Sequence, residues 1–231
     1  VNPGKLLAVT AASGFVPEAE VLFAKQMAAR LKVAHSVIQI DLFDKDDILG
    51  NPPDRCYHCK KAVFSRILQH SRERGVDVLL HAVNLDDLGD YRPGLEAAKE
   101  LGVLSPLVEA GFTKNDIRQA SREMGLETWD KPSQSCLATR IPYHKRITKS
   151  TLHMIEKAED FLHDLGFLQV RVRVHEKAAR IELLPDQISA IMPDKIRSNI
   201  SHTFRKIGFH YVSVDLDGYK TGKMNDEILT G

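Results

Sequence analysis

The chain has 231 residues, 43% hydrophobic and 27% charged, with 32 Lys and Arg against 31 Asp and Glu for a formal net charge of +1. This is the composition of an ordinary soluble globular protein: no run approaches the roughly 18 apolar residues a membrane span needs, and balanced charge offers no basic stripe for nucleic acid. The length allows one large domain or two small ones, the N-terminus has no signal-like pattern, so the cytoplasm is the expected location, and three cysteines argue against a disulfide framework.

Leu6 to Thr10 reads as a buried parallel strand leading into the loop Ala-Ala-Ser-Gly. Pro17 and Glu18 open a helix whose apolar positions Val21, Leu22, Ala24, Ala28 and Leu31 recur at helical spacing, and Val37 to Ile40 forms the next strand. Asn-Pro-Pro-Asp then marks a turn, and Cys56 and Cys59 sit where a helix through Lys60 to Arg74 begins. At that end the dipole and the free N–H groups favour negative charge, hence metal ligation or nucleophilicity over inert packing. Val76 to Val83 is expected as a third strand, followed by a carboxylate-rich loop, Asn84-Leu-Asp-Asp-Leu-Gly-Asp90. A loop at the carboxyl end of a parallel strand is the ligand edge of a doubly wound sheet. Asp86, Asp87 and Asp90 could hold Mg²⁺ through oxygen ligands, or be merely solvated. A short helix covers Leu95 to Leu101, a strand-like run Val103 to Val108, and Thr113 with Asp116 starts a helix ending near Gly125.

The βα alternation runs to about Asp130, and an irregular stretch between Pro132 and Pro142 carries Cys136 and Arg140. Beyond it, Thr148 caps a helix to Gly166, strands cover Leu168 to Val174 and Arg180 to Leu184, a helix spans Asp186 to Gly208, and a last strand covers Tyr211 to Leu216. That order predicts a smaller α+β domain, an antiparallel sheet against two helices, with domains at 1–145 and 146–231. Arg171 and Arg173 lie two apart on a strand, so both leave one face, suited to a phosphate or carboxylate or simply solvated.

Three thiols are one ligand short of a closed site, and a metal site that does chemistry keeps a position open. Cys56, Cys59 and Cys136 therefore point to an open metal centre; equally compatible are a redox pair, or a zinc half-site completed by His58 or another of the ten histidines, with Cys136 a buried hydrophobe.

Asn51-Pro-Pro-Asp-Arg-Cys-Tyr-His-Cys-Lys-Lys, Asn84-Leu-Asp-Asp-Leu-Gly-Asp-Tyr-Arg-Pro-Gly, Trp129-Asp-Lys-Pro-Ser, Cys136-Leu-Ala-Thr-Arg-Ile-Pro-Tyr and Asp215-Leu-Asp-Gly-Tyr together resemble one family, the ATP-dependent sulfur transferases of the LarE type. The resemblance spans nearly the whole chain and implies an α/β fold, the doubly wound parallel sheet of the PP-loop (adenine nucleotide alpha-hydrolase) superfamily. It implies insertion of sulfur into pyridinium biscarboxylic acid mononucleotide, for the nickel-pincer nucleotide cofactor, after ATP adenylates a substrate carboxylate. The sulfur comes from a sacrificed cysteine or, in three-cysteine members, from a sulfide on a [4Fe-4S] cluster held by the cysteines matching Cys56, Cys59 and Cys136. By the same matching, Asn84, Asp86 and Asp87 would bind nucleotide and Mg²⁺, Arg140, Arg171 and Arg173 the substrate phosphate, and Glu159 would join Cys136 as a catalytic candidate. A homo-oligomer through the C-terminal domain is also implied.

Two departures stand out. The family's phosphate-cradling loop, Ser-Gly-Gly-x-Asp-Ser, should follow the first strand, yet no such sequence occurs and Val1 falls where the second strand would begin. The expectation is loss of an N-terminal segment rather than a degenerate paralogue, because Leu6 has no preceding strand and helix to complete the sheet; these 231 residues alone should not activate substrate. Ser13-Gly14 is no substitute, and Ala82-Val83 stands where the family tends to have Gly-Thr. Two competing readings are tRNA thiolation by the same fold and a non-catalytic zinc or nucleotide-binding module.

Overall fold

A computed structural model describes residues 6–89, 91–220 and 222–225. The described chain divides into two compact units: residues up to Ile48 with Pro52–Ser133, and Leu49–Asn51 with the residues from Gln134 onward. Compactness thus divides the chain at 133/134 rather than at the expected 145/146. The reason is local bonding: the side chain of Asn51 donates to the carbonyls of Ile141 and Pro142 at 3.1 and 2.7 Å, and Ile147 N–H donates to Leu49 O at 2.8 Å.

In the first unit, β1 (Leu7–Ala12) and β2 (Ala34–Gln39) pair in parallel from Leu7↔Ala34 to Ala12↔Gln39. The connection is α1 (Glu18–Arg30), preceded by Pro17, whose fixed φ suits a helix entry. The turn α2 (Asp46–Leu49) precedes α3 (Arg55–Arg72), the longest helix described. The expected strand over Val76 to Val83 is not a strand among the described residues. Its one ladder contact is a parallel bridge, Leu80↔Leu104, in which His81 N–H donates to Leu104 O at 3.0 Å. Val78 and Leu80 are 61% and 50% exposed, so the burial that extends such a run into a strand is lacking there. Val103 to Val108 is likewise not a strand: after the bridge, Pro106 opens α5 (Pro106–Glu109), following α4 (Gly94–Glu100). The last α-helix of this unit is α6 (Lys114–Glu123), with the expected capping box between Thr113 and Asp116, followed by a 3₁₀ turn, Glu127–Trp129.

The second unit begins with an irregular segment and a 3₁₀ turn, Leu137–Arg140. Helix α7 (Lys149–Asp164), capped by Thr148, packs on β3 (Val170–His175). β3 pairs antiparallel with β4 (Ala178–Leu183), which pairs with β5 (Tyr211–Val214). The last pairing is parallel, not antiparallel as expected, because α8 (Asp194–Ile207) crosses over between β4 and β5. The helix expected from Asp186 is broken at Pro193, which separates a 3₁₀ segment, Pro185–Ile191, from α8. Val170, Val172, Ile181 and Leu183 are fully buried on the helical side of this sheet with Leu152, Ile155 and Phe204. Alternation sends Arg171, Arg173, Arg180 and Glu182 to the other face.

Candidate functional site

Cys56 and Cys59 lie three residues apart in the first turns of α3, so their side chains share a helix face. Both are free thiols and partly exposed. One guanidinium nitrogen of Arg55 stands 3.7 Å from Cys56 Sγ. Lys60 follows on the same side, and burial pulls its pKa down, with Arg92 adding to the effect and Cys56, Asp87 and Cys59 opposing it. The start of α4 is set close against this turn: a Cβ on Gly94 would sit 2.6 Å from Lys60 Cδ and 3.1 Å from the Cys56 carbonyl oxygen. The contact is reinforced outside by Lys61 Nζ, which donates to Tyr57 Oη at 2.7 Å and to Glu100 at 2.9 Å; these bonds, Tyr57 first, raise the lysine's pKa. Two thiolates fit a soft metal. No third Cys, His, Asp or Glu of this unit joins them in a metal-holding group among the described residues.

The acidic loop is tied into the fold. Asp87 pairs with Arg92 at 2.9 Å and accepts the Asn84 N–H at 3.1 Å. Asp86 accepts the Lys114 N–H, at the start of α6, at 2.6 Å, while Asn84 Oδ1 accepts the Asp86 N–H at 3.0 Å. Asp86 and Asp87 therefore lie on one 3₁₀ turn, Leu85–Gly89, and Asn84 immediately precedes it, with carboxylates that already organise the loop. Asp90 lies outside the described residues. Nearby His81 donates or accepts at Ser105 Oγ, 2.6 Å away, and burial, with the charge of Lys60, lowers its pKa.

In the second unit Cys136 caps the 3₁₀ turn, and the backbone around it is held by one side chain. Arg140 is fully buried, and its Nη1 donates to Ser135 O, Ser135 Oγ, Cys136 O and Thr139 Oγ1 at 2.8–3.0 Å. Its Nε and Nη2 meet Glu159 bidentately at 2.9 and 2.8 Å. Glu159, 4% exposed, also accepts the Val172 N–H at 2.8 Å. Arg140, expected as a phosphate ligand, directs these donors inside the protein and ties the Cys136 loop to α7. Glu159 is likewise bonded by Arg140 and by β3, which joins α7 to the Cys136 loop through Arg140.

Arg171 and Arg173 do share a face. Arg173 Nη1 donates to Thr139 O at 2.7 Å, tying β3 to the Cys136 loop, and its Nε donates to Glu182 at 3.0 Å. Arg171 is 3% exposed, donates to Val170 O and stacks over the Tyr219 ring at 5.3 Å. Burial, then the charge of Arg140, lowers its pKa. Arg180 adds a third cation, 3.4 Å from Glu182 and from Asp215. Glu182 is the residue the sequence reading missed. It is fully buried beneath the arginines, and its Oε2 has no hydrogen-bond partner among the described residues. The signal was present, since Arg180 and Glu182 alternate on β4 as Arg171 and Arg173 do on β3, and Arg171 lies opposite Glu182 in register. The result is a cationic sheet face next to a braced cysteine.

No family model matches the chain. It is 34% identical over 221 residues, 96% of its length and 79% of the relative's, to the pyridinium-3,5-bisthiocarboxylic acid mononucleotide synthase of Lactiplantibacillus plantarum. The chain belongs to the family of this synthase. The chain is also 40% identical to an uncharacterized protein of Synechocystis, over 97% of this chain and 83% of that one. The tRNA-specific 2-thiouridylase of Rickettsia africae is a more distant relative, 28% identical over 64% of this chain and 48% of its own. With the parallel β1–β2 pair and flanking helices, these relationships place the first unit in the PP-loop α/β class. No helix of the described residues is long and apolar enough to cross a membrane.

Proposed function

We propose that the protein is an ATP-dependent sulfur transferase that replaces carboxylate oxygen by sulfur in a pyridinium biscarboxylic acid mononucleotide. The observation that carries this reading is the cationic face of β3 and β4, Arg171, Arg173 and Arg180 over buried Glu182, joined to the Cys136 loop by the Arg173 to Thr139 bond. It supports an anionic substrate beside a thiol. In this reading Arg171 and Arg173 hold the substrate phosphate, the orphan Oε2 of Glu182 suits a ribose hydroxyl, and Arg140 and Glu159 keep the Cys136 backbone in place.

The chemistry needs a leaving group, because a carboxylate oxygen does not depart unaided. A substrate carboxylate oxygen attacks the α-phosphorus of ATP and pyrophosphate leaves; a sulfur nucleophile then attacks the acyl carbon and AMP departs with that oxygen, leaving a thiocarboxylate. Asn84, Asp86 and Asp87, in the loop that follows the Leu80↔Leu104 bridge, are the Mg²⁺ and nucleotide candidates. The thiols of Cys56, Cys59 and Cys136 have the soft donor chemistry for a [4Fe-4S] cluster, which supplies a labile sulfide when bound. The protein would act in the cytoplasm as a homo-oligomer.

The test is to incubate the whole encoded protein, with any segment that supplies the phosphate-cradling loop, after anaerobic reconstitution, with ATP, Mg²⁺, sulfide and the biscarboxylic mononucleotide and to follow product mass. A product in which sulfur replaces oxygen, with near-stoichiometric iron and acid-labile sulfide lost in Cys136→Ala, is expected. Zinc without iron, or no sulfur-bearing product, overturns the cluster or the transferase reading respectively. Thiolation of an added tRNA instead would favour the thiouridylase-like alternative.

A further inference from the structure

The C-terminal unit carries a second polar recess. A cleft of about 550 Å³ opens between α8 and β5. Its floor is apolar, with Ile181, Val212 and Val214 from the sheet and Ile200 from the helix. Ile181 alternates with Arg180 and Glu182 along β4, so this floor lies on the opposite face of the sheet from the arginine cluster. β5 is the terminal strand of its sheet among the described residues, which leaves the cleft open along one side.

The rim has the opposite character. Arg197, His202 and Arg205 line the cleft together with Ser198 and Ser201, and no carboxylate among the described residues lines it. Ser198, Ser201 and Arg205 recur at helical spacing on one face of α8, so hydroxyls and a guanidinium point the same way. Arg197 is ion-paired with Asp194 at 2.5 Å. Arg205 has no ion-pair partner among the described residues. The volume falls within the roughly 300–1,000 Å³ of small-ligand sites, which are likewise largely apolar with a few convergent polar groups. A guanidinium recognises phosphate or carboxylate through paired donors, and a buried apolar floor gains free energy only if the ligand also brings apolar surface. Inorganic phosphate alone would leave that floor wet.

We propose that this cleft is a ligand site, separate from the Cys136 face, for a small anion bearing an apolar ring, with its phosphate or carboxylate on Arg205 and its ring on the half-buried Val212 and Val214. A nucleoside monophosphate and an aryl phosphate share this chemistry. The proposal does not depend on the sulfur-transfer reading.

The experiment titrates phenyl phosphate, adenosine monophosphate and inorganic phosphate separately into the isotope-labelled protein and follows the amide resonances of Ser201, Val212 and Val214. Saturable shifts confined to α8 and β5 are expected with phenyl phosphate, and binding of inorganic phosphate should be at least about tenfold weaker, about 1.4 kcal/mol. Arg205→Glu and the cleft-filling Ser201→Trp should each abolish the saturable shifts while the rest of the spectrum keeps its folded dispersion; Arg205→Gln is the milder variant should either fail to fold. Tighter binding of the nucleotide than of phenyl phosphate assigns the site to nucleotides, and equal binding assigns it to aryl anions generally. Shifts elsewhere, unsaturable shifts, or indifference to the variants overturn the proposal. So does ligand-independent self-association that the same variants remove, since a second copy then fills the cleft.

Discussion

The two cysteine-bearing regions are positioned by different physics. Cys56 and Cys59 ride on α3, an 18-residue helix, so backbone periodicity alone puts both thiols on one face. Cys136 sits in irregular chain, which has no such periodicity, and its place comes from side-chain bonds: one buried guanidinium gathers Ser135, Cys136 and Thr139 and anchors them to Glu159. A thiol on a helix is robust to loss of a neighbour, whereas a thiol on a braced loop depends on its brace.

The largest effect that would break this contrast is Arg140→Met. It leaves the Glu159 carboxylate buried without its counter-ion, and removing one partner of a buried pair costs about 3–5 kcal/mol. The denaturant midpoint should fall accordingly, whereas Tyr57→Phe, which removes only exposed hydrogen bonds on α3, should change stability by no more than about 1 kcal/mol; equal midpoints for the two variants would refute the brace. Next comes Glu182→Gln, which weakens charge-assisted bonds to Arg173 and Arg180 worth about 1.5–3 kcal/mol, and should weaken substrate affinity along with stability. Gly94→Val probes the other region. Its side chain would collide with Lys60 and approach the Cys56 carbonyl, an overpacking cost of about 1–3 kcal/mol, and it should lower metal uptake by α3 without disturbing Cys136 reactivity.

The smallest effect is in pH. Burial alone would raise Asp215, but Lys223, the Asp217 N–H and Arg180 hold its carboxyl below the usual range. A depressed folded pKa means stabilisation that is fully present above the unfolded value near 3.9 and is lost as pH falls through the folded one. Lys223→Ala should therefore make acid unfolding begin at slightly higher pH, and an unchanged acid midpoint would remove Asp215 from the account.

What the sequence made legible follows the same division. Helix periodicity and caps foretold α3, the Thr113 and Thr148 starts and the shared face of Arg171 and Arg173, because these depend on local spacing. The Val76 to Val83 run was read as a strand from apolarity alone, yet a strand also needs a partner and burial, and only Leu80 gains a bridge. β5 was read as antiparallel because the order of elements does not encode strand direction. Arg140 reads as a phosphate ligand in sequence because a basic residue beside a cysteine is ambiguous there; its bonds to Glu159 and to the Ser135, Cys136 and Thr139 backbone and hydroxyls are non-local or fold-dependent. Glu182 escaped because its meaning lies in register with Arg171 across the sheet, a non-local fact.

The central claim is that the arginine face of the C-terminal unit binds the anionic substrate. Calorimetric titration of the pyridinium biscarboxylic acid mononucleotide into the protein and into its Arg173→Ala and Arg171→Ala variants tests it most directly. The account predicts that each variant binds at least about tenfold more weakly, consistent with the loss of a charged phosphate contact, while remaining folded. Affinity unchanged in both variants would contradict it.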